Sequence, residues 1–418
     1  MTITSRFSAF LIAAGFVAIA AAPLAAQPGS PVAMPAAHDS GYLMFRSADG
    51  AFAYWLDGRV QIDAAFYRGG KNALGSGTEV RRARLGWKAT LYKDWHGEID
   101  VDFAENAVEM KDMWLGYQGF KNSIIKVGNF KEPFSLETLT SSKYITFIER
   151  SYIDNLSPDR HIGLSYSRWG EHFYATGGVF GEVAGTPDAS ARGEAYAFTG
   201  RAVYVPVNKP GRLLHIGGAL SRRTPDAATG ADTNTMRFRA RPETDVSKTR
   251  FITTGKVRSV DHTSYYNAEF AGVYGPFTLQ SEYSKVVLHK LVDSLTAPEF
   301  GGYYVSASFF LTGETRPYST EDAEFDRVIP KSSRGAWEIA ARVSSLDLND
   351  TRSDVNILGG KGTNFTLGLN WHINANFKWM LDYTRVSNDD NAKPDLTLGT
   401  PVAGDKFNIF ATRFSLAF

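Results

Sequence analysis

The sequence predicts an all-β chain whose strands close into a transmembrane antiparallel barrel of about 16 strands. Period-two alternation, an aromatic final strand and the lack of any long apolar run beyond the N-terminus point to it. In "VRRARLGWKATLYKDW", residues 80–95, one face carries Arg82, Arg84, Gly86, Lys88 and Thr90. The other carries Ala83, Leu85, Trp87, Ala89 and Leu91. A sandwich would not gather Asp, Glu and Arg on a shared inner face without partners, whereas a barrel with water inside and lipid outside accommodates them.

The same alternation recurs along the chain. Val60, Ile62, Ala64 and Phe66 oppose Arg59, Gln61, Asp63 and Ala65 in "GRVQIDAAFY". Ile99, Val101 and Phe103 oppose Glu98, Asp100 and Asp102 in "GEIDVDFA", and "NFTLGLNWHI" and "FKWMLDYTRV" repeat it near the end. The last strand, "FNIFATRFSLAF", sets Phe410, Thr412, Phe414, Leu416 and Phe418 on one side, the terminal pattern of bacterial outer-membrane barrels. Short connections, "YKDW" and "HINAN", alternate with long polar ones at 181–197, 222–249 and 386–405, the asymmetry such barrels show. Aromatic residues are 13% of the chain, with Trp and Tyr often near strand ends, as an interfacial girdle requires.

The N-terminus predicts export. Arg6, the apolar stretch "FSAFLIAAGFVAIAAAPLAA" and its small-residue end read as a signal peptide over residues 1–26. A Pro-, Ala- and Ser-rich leader follows over 27–50, and the barrel domain occupies 51–418. With no cysteine, no disulfide framework operates. A hydrophobic content of 43% and a mean hydropathy of −0.23 suit a soluble globule and a barrel alike.

One connection is unusually long. Residues 131–160, "KEPFSLETLTSSKYITFIERSYIDNLSPDR", separate two strands, and loops of that length usually carry function. Within it "SLETLTSSKYITFIER" reads as a short amphipathic helix, with Leu136, Leu139, Tyr144, Phe147 and Ile148 available to pack. Two placements are open, a lid over the mouth or a loop folded into the lumen that narrows it.

"GRVQID", "VRRARLGWKATLYKDW", "VGNFKEPFSLETLTSSKYITFIER", "GGYYVSASFFLTGETRPY", "GAWEIAARVSSL" and "FTLGLNW" together resemble the phosphate-selective porin O and P family, in its order, over most of the mature chain. The resemblance implies a 16-stranded antiparallel barrel, a homotrimer, the long loop folded into the lumen, and an arginine ladder leading to a constriction lined by lysine and arginine. Carried over residue by residue, the anion pathway would hold Arg59, Arg81, Arg82 and Arg84, with Arg237, Arg239 and Arg241 of "MRFRAR". The constriction would hold Lys131, Lys143 and Arg150, with Asp112 as the carboxylate near the narrow point. The sequence departs from the family at His96, where its best phosphate binders carry lysine, and around Arg250 and Arg258, which do not align cleanly.

The chemistry suits that reading. Cationic side chains along a narrow pore replace an anion's hydration, and several weak sites in series let it leave again. Arg offers a planar fork of donors to phosphate oxygens, and Lys a compact charge. Net charge does not select: of 45 basic residues Arg6 is lost with the signal, leaving 44 against 44 acidic ones, so selectivity depends on placement. Strand parity sends Arg82 and Arg84 to the lumen and Arg81 to the lipid side, which predicts that Arg81 lies at the strand's end above the hydrocarbon.

Expected partners are inorganic phosphate or other small anions, outer-membrane lipid and two further copies of the chain. No nucleic acid, metal or cofactor is expected. No GxSxG elbow, HExxH or phosphate-cradling loop occurs; "GGKNALGSG" at 69–77 and "GGKG" at 359–362 lie between strands, where turns use Gly. A channel is therefore expected rather than an enzyme, with a general, weakly selective porin as the alternative.

Overall fold

A computed structural model of the chain describes residues 44–185, 195–225, 234–292, 294–396 and 399–418, so the expected signal peptide and most of the expected leader lie outside the described residues. Antiparallel hydrogen bonding joins strands along the chain from β1 (Ala53–Arg68) through β2 (Gly77–Leu91), β3 (Trp95–Asp102) and β4 (Glu109–Tyr117). It continues through β5 (Ser123–Lys131), β6 (Arg160–Trp169), β7 (Phe173–Phe180), β8 (Ala197–Lys209) and β9 (Arg212–Arg223). After β10 (Val260–Tyr274) and β11 (Phe277–Lys290) come β12 (Glu299–Phe310) and β13 (Ala336–Asp350). The last three are β14 (Ile357–His372), β15 (Phe377–Asn388) and β16 (Lys406–Ala417). β16 then pairs with β1, Arg59 opposite Ala417 through Arg68 opposite Asn408, and the sheet closes as a 16-stranded barrel. Beyond the end of β16 the edge of β1 is taken by the short strand Met44–Arg46.

Closure depends on the last residue. The Phe418 amide donates to the Gly58 carbonyl at 3.1 Å, and the Gly58 amide donates to the Phe418 carbonyl at 2.8 Å. A Cβ at Gly58 would lie 2.5 Å from the Phe418 ring, so only glycine leaves room for the ring on the wall.

The two faces separate as the alternation predicts. Gln61 is 1% exposed while its neighbour Ile62 is 48% exposed, and Leu85, Trp87, Ile99, Phe365 and Phe414 also stand outward. An outer wall of this composition stays out of water when lipid surrounds it. Connections at one end are short: 92–94, 118–122, 170–172, 210–211, 275–276 and 373–376. At the other end they are longer and include 132–159, 181–196, 224–259 and 389–405. Near the short-turn rim, Trp337 stacks on Trp371 at 5.2 Å and Trp95 tilts against Tyr117 at 5.0 Å.

Three connections fill much of the barrel. Phe134, Tyr152 and Leu156 of 132–159 pack with Phe238, Ala240 and Ile252 of 224–259 against Tyr265, Val286, Leu288, Phe300, Leu346 and Leu348 on the inner wall. The long connection thus folds into the lumen. The sequence did not anticipate the third connection, 311–335, which breaks the short-turn pattern. Its Ala323 and Phe325 turn inward and pack with Leu136 on Val203, Val205, Leu213, Ala271 and Val273. Apolar side chains therefore face the lumen from β8 to β13 because segments of the chain cover them, and the open space lies along β1–β6.

Candidate functional site

The constriction is built by a loop whose backbone is held by the wall. Ser135, at φ +68°, caps the one-turn helix α1 (Leu136–Leu139) by accepting a bond from the Thr138 amide. The Leu136 and Glu137 amides donate to the Glu282 carboxylate at 3.0 and 2.8 Å. Beyond Leu139 the expected longer amphipathic helix does not form, and the physical reason is competition for its peptide groups. Gln61 donates to the Ser142 carbonyl at 3.0 Å, Lys378 to Ile145 at 2.8 Å and Asn370 to Thr146 at 2.8 Å, while the Ile148 amide donates to Asp382 at 2.8 Å. Wall side chains satisfy groups that a helix would have paired internally.

Charge pins the loop tip. Arg413 reaches Asp63 on the neighbouring strand and Glu149 on the loop, each at 2.6 Å, and donates to the Ile148 carbonyl. Arg81 grips Glu149 at 2.8 Å and Asp245 of 224–259 at 3.2 Å, and Arg82 lies 3.8 Å from Glu149. Burial alone would raise the Glu149 carboxyl; the guanidiniums of Arg81, Arg82 and Arg413 instead hold it well below the usual carboxylate range.

Arg81 corrects the expectation of strand parity. Gln61 pairs with Arg82 and Ile62 with Val80, so Arg81 is the extra residue of a β-bulge. The bulge breaks the alternation in mid-strand and brings Arg81 and Arg82 both to the lumen, so Arg81 is neither at the strand end nor on the lipid side.

Seven of the remaining residues read from the sequence border one lumen cavity of about 510 Å³: Arg59, Arg82, Arg84, Asp112, Lys131, Lys143 and Arg150. Lys143 pairs with Asp57 at 2.6 Å, and Arg59 donates to the Ser142 hydroxyl at 2.9 Å and lies 3.5 Å from Asp100. Arg84 binds Asp102 at 2.7 Å, and Arg82 donates to the Gln61 amide oxygen at 2.8 Å. Asp112 binds Arg160 at 2.7 Å. Lys131 and Arg150 serve α1: Lys131 donates to the Thr138 and Leu139 carbonyls, and Arg150 to those of Glu137 and Thr140 at 2.8 Å each. They meet carbonyls left open where the helix stops.

Arg237, Arg239 and Arg241 are not brought to this cavity. They sit on 224–259, where Arg239–Ala240 pairs with Ile252–Thr253. Phe238 and Ala240 turn into the core, Arg237 and Arg239 are exposed, and Arg241 pairs with Asp245.

Sequence reasoning missed Lys88, Lys126 and Arg160, which also border the cavity, and the clamp formed by Arg413 with Glu149. Lys88 and Arg413 sit on the non-lipid faces of alternating strands, so parity signals their direction but not their partners, whereas Lys126 shares its face with Ile124 and Phe130 and carries no such signal. Carboxylate oxygens of Glu98, Asp100 and Asp112 lie within 4.8 Å of one another. Lys88 at 3.5 Å, Arg59 at 3.5 Å and Arg160 at 2.7 Å already face them, so the group supports no metal ion.

This geometry is that of a narrowed, charge-lined channel, and comparison with known proteins agrees. The family model for "Phosphate-selective porin O and P" matches residues 55–418. The chain belongs to that family. A phosphate-selective porin O and P family member is an anion-selective channel of the outer membrane, not an enzyme. Porin O of Pseudomonas aeruginosa is 26% identical over 386 residues, 84% of this chain and 86% of that one. An uncharacterized protein of Caulobacter vibrioides is 30% identical over 397 residues, 87% of this chain and 77% of its own length. Among solved structures, an anion-selective porin from Comamonas acidovorans superposes with a TM-score of 0.55 at 12% identity, covering 88% of this chain and 100% of that one. The trimer form of OmpT from Vibrio cholerae gives 0.54 at 12%, with the same coverage, and both likenesses concern the fold.

Proposed function

We propose that this porin conducts inorganic phosphate and similar small anions along the β1–β6 side of the lumen. The observation that carries the reading is the cavity beneath the loop, where nine cationic side chains border about 510 Å³. They are Arg59, Arg82, Arg84, Lys88, Lys126, Lys131, Lys143, Arg150 and Arg160. A hydrated anion entering there exchanges water for guanidinium and ammonium donors, and the carboxylates paired with them keep each site weak enough to release it. Burial draws the Lys143 ammonium below its ordinary value, Tyr144 and Asp57 oppose that, and Lys143 is assigned as an anion contact. Lys131 and Arg150 hold the shape of the constriction and add field. Arg81, Arg82 and Arg413 fix the loop, and exposed Arg237 and Arg239 gather anions at the long-loop mouth.

Residues 1–26 would be removed on export, and the mature chain would assemble as a homotrimer in outer-membrane lipid. The trimer form of the Vibrio cholerae neighbour and the apolar outer wall support that assembly. A second reading, a weakly selective general porin, is favoured by one set of contacts: Arg59, Arg84, Lys143 and Arg160 all face carboxylates. Planar-bilayer current in chloride, with phosphate titrated as a blocker, separates the two. Saturable block supports phosphate preference, and proportional dilution of the current supports the general pore.

A further inference from the structure

The connection 311–335 carries "STEDAEFDR", and four of its carboxylates, Glu321, Asp322, Glu324 and Asp326, border the same cavity as the cationic wall. The segment is a small hairpin, Tyr318 opposite Phe325 and Ser319 opposite Glu324, entering from the short-turn end. Its apolar side is fixed: Arg316 stacks over the Phe325 ring at 3.8 Å, and the Tyr318 hydroxyl bonds His215 at 2.7 Å. Its tip is fixed too. Arg201, itself paired with Glu269 at 2.8 Å, donates to the Ala323 carbonyl at 2.9 Å and the Asp322 carbonyl at 3.3 Å. The guanidinium holds main-chain oxygens, so it does not tie up the hairpin's carboxylate groups in doing so. Across the mouth, Gln118 of the β4–β5 turn donates to the Glu321 carboxylate at 2.8 Å. The hairpin therefore spans from the β8–β10 wall to the opposite side and faces Lys126 and Lys131 over the remaining space.

We propose that this hairpin is a fixed counter-charge that sets how strongly the pore prefers anions. A channel lined by cations alone would hold a multivalent anion at its narrow point; carboxylates across the gap lower the field there and speed its release. The device acts through charge on passing ions and needs no bound ligand. It makes the lumen bipolar across its width, so an ion of either sign finds one favourable wall. The inference rests on the anion path proposed above and identifies the residues that moderate it.

The test is the reversal potential of purified trimer in planar bilayers under a potassium chloride gradient at alkaline pH. The combined substitution Glu321→Gln, Asp322→Asn, Glu324→Gln and Asp326→Asn is compared with wild type, and the pair Asp322→Asn with Glu324→Gln serves if the combined variant assembles poorly. Neutralisation should raise the chloride-to-potassium permeability ratio roughly fivefold at low salt, with the gain shrinking as salt screens it. An unchanged ratio in both variants overturns the hairpin's role while leaving anion preference standing. A wild-type potential on the cation side overturns the anion path instead, and the shift between wild type and variant still decides the hairpin.

Discussion

Arg413, on the last strand, holds Asp63 of the first strand and Glu149 of the lumen loop in one guanidinium, each at 2.6 Å. The seam that closes the barrel and the loop that narrows it therefore share an anchor. Arg413→Leu should leave Asp63 as an uncompensated buried charge and Glu149 to Arg81 and Arg82 alone, and breaking a buried pair in this way costs about 3–5 kcal/mol. The expected outcome is a porin that still inserts, unfolds at lower temperature, and shows larger, noisier single-channel conductance. Heat-shifted gel mobility and bilayer recording check both.

The seam makes a second demand at its lower end. Gly58→Val would drive a side chain into the Phe418 ring, and deletion of Phe418 would remove the two backbone bonds that finish β16. Both changes should reduce folded porin in the outer membrane, read as the heat-modifiable band of an unboiled gel. Normal yield in both would show that closure does not depend on this contact.

The bulge at Arg81 separates two kinds of charge substitution on one strand. Leu85→Glu places a charge on the lipid side, where mid-membrane charges cost roughly 2–4 kcal/mol for basic residues and less for acids, so insertion should fall. Arg81→Glu should insert normally, because its side chain lies in the lumen, but should repel Glu149 and Asp245 and change conductance. Membrane yield and single-channel recording distinguish them, and equal loss of insertion would contradict the lumen position of Arg81.

Anion preference should depend on pH through the hairpin. Burial and neighbouring Asp322 push the Glu324 carboxyl up to about 7, against the pull of Lys131, Arg201 and Lys126. Because the group is neutral below that value and negative above it, chloride preference should fall as pH rises from about 6 to about 8. Glu324→Gln should flatten the dependence. Reversal potentials in chloride check this without the titration of phosphate itself.

Strand parity made the barrel legible: Gln61 inward beside Ile62 outward, and Phe418 at the end, follow from side-chain direction alone. Arg59, Arg82 and Arg84 on the wall were legible for the same reason, whereas Lys143 and Arg150, on a loop without strand parity, came from the family resemblance alone. Parity failed where the backbone departs from it, as at Arg81, and where segments distant in sequence meet, as Arg413 and Glu149 do. It also gave no warning that Val203, Val205 and Val273 could face the lumen, since the covering Phe325 comes from a connection at the short-turn end. The helix expected beyond Leu139 failed because wall residues such as Lys378 and Asn370 took its carbonyls, a competition that local pattern does not record.

Phosphate block of chloride current in Lys143→Ala tests most directly whether anions pass beneath the loop against the cationic wall. Lys143 borders the cavity and sits 2.6 Å from Asp57, so its loss removes a cation at the narrow zone and leaves that carboxylate facing the path. The phosphate concentration for half-block should rise roughly tenfold, about 1.4 kcal/mol of lost binding. Asp112→Ala should lower it by freeing Arg160, and Lys290→Ala at the distant rim should leave it nearly unchanged. Equal block in wild type and all three variants would contradict the path and leave the protein a general, weakly selective pore.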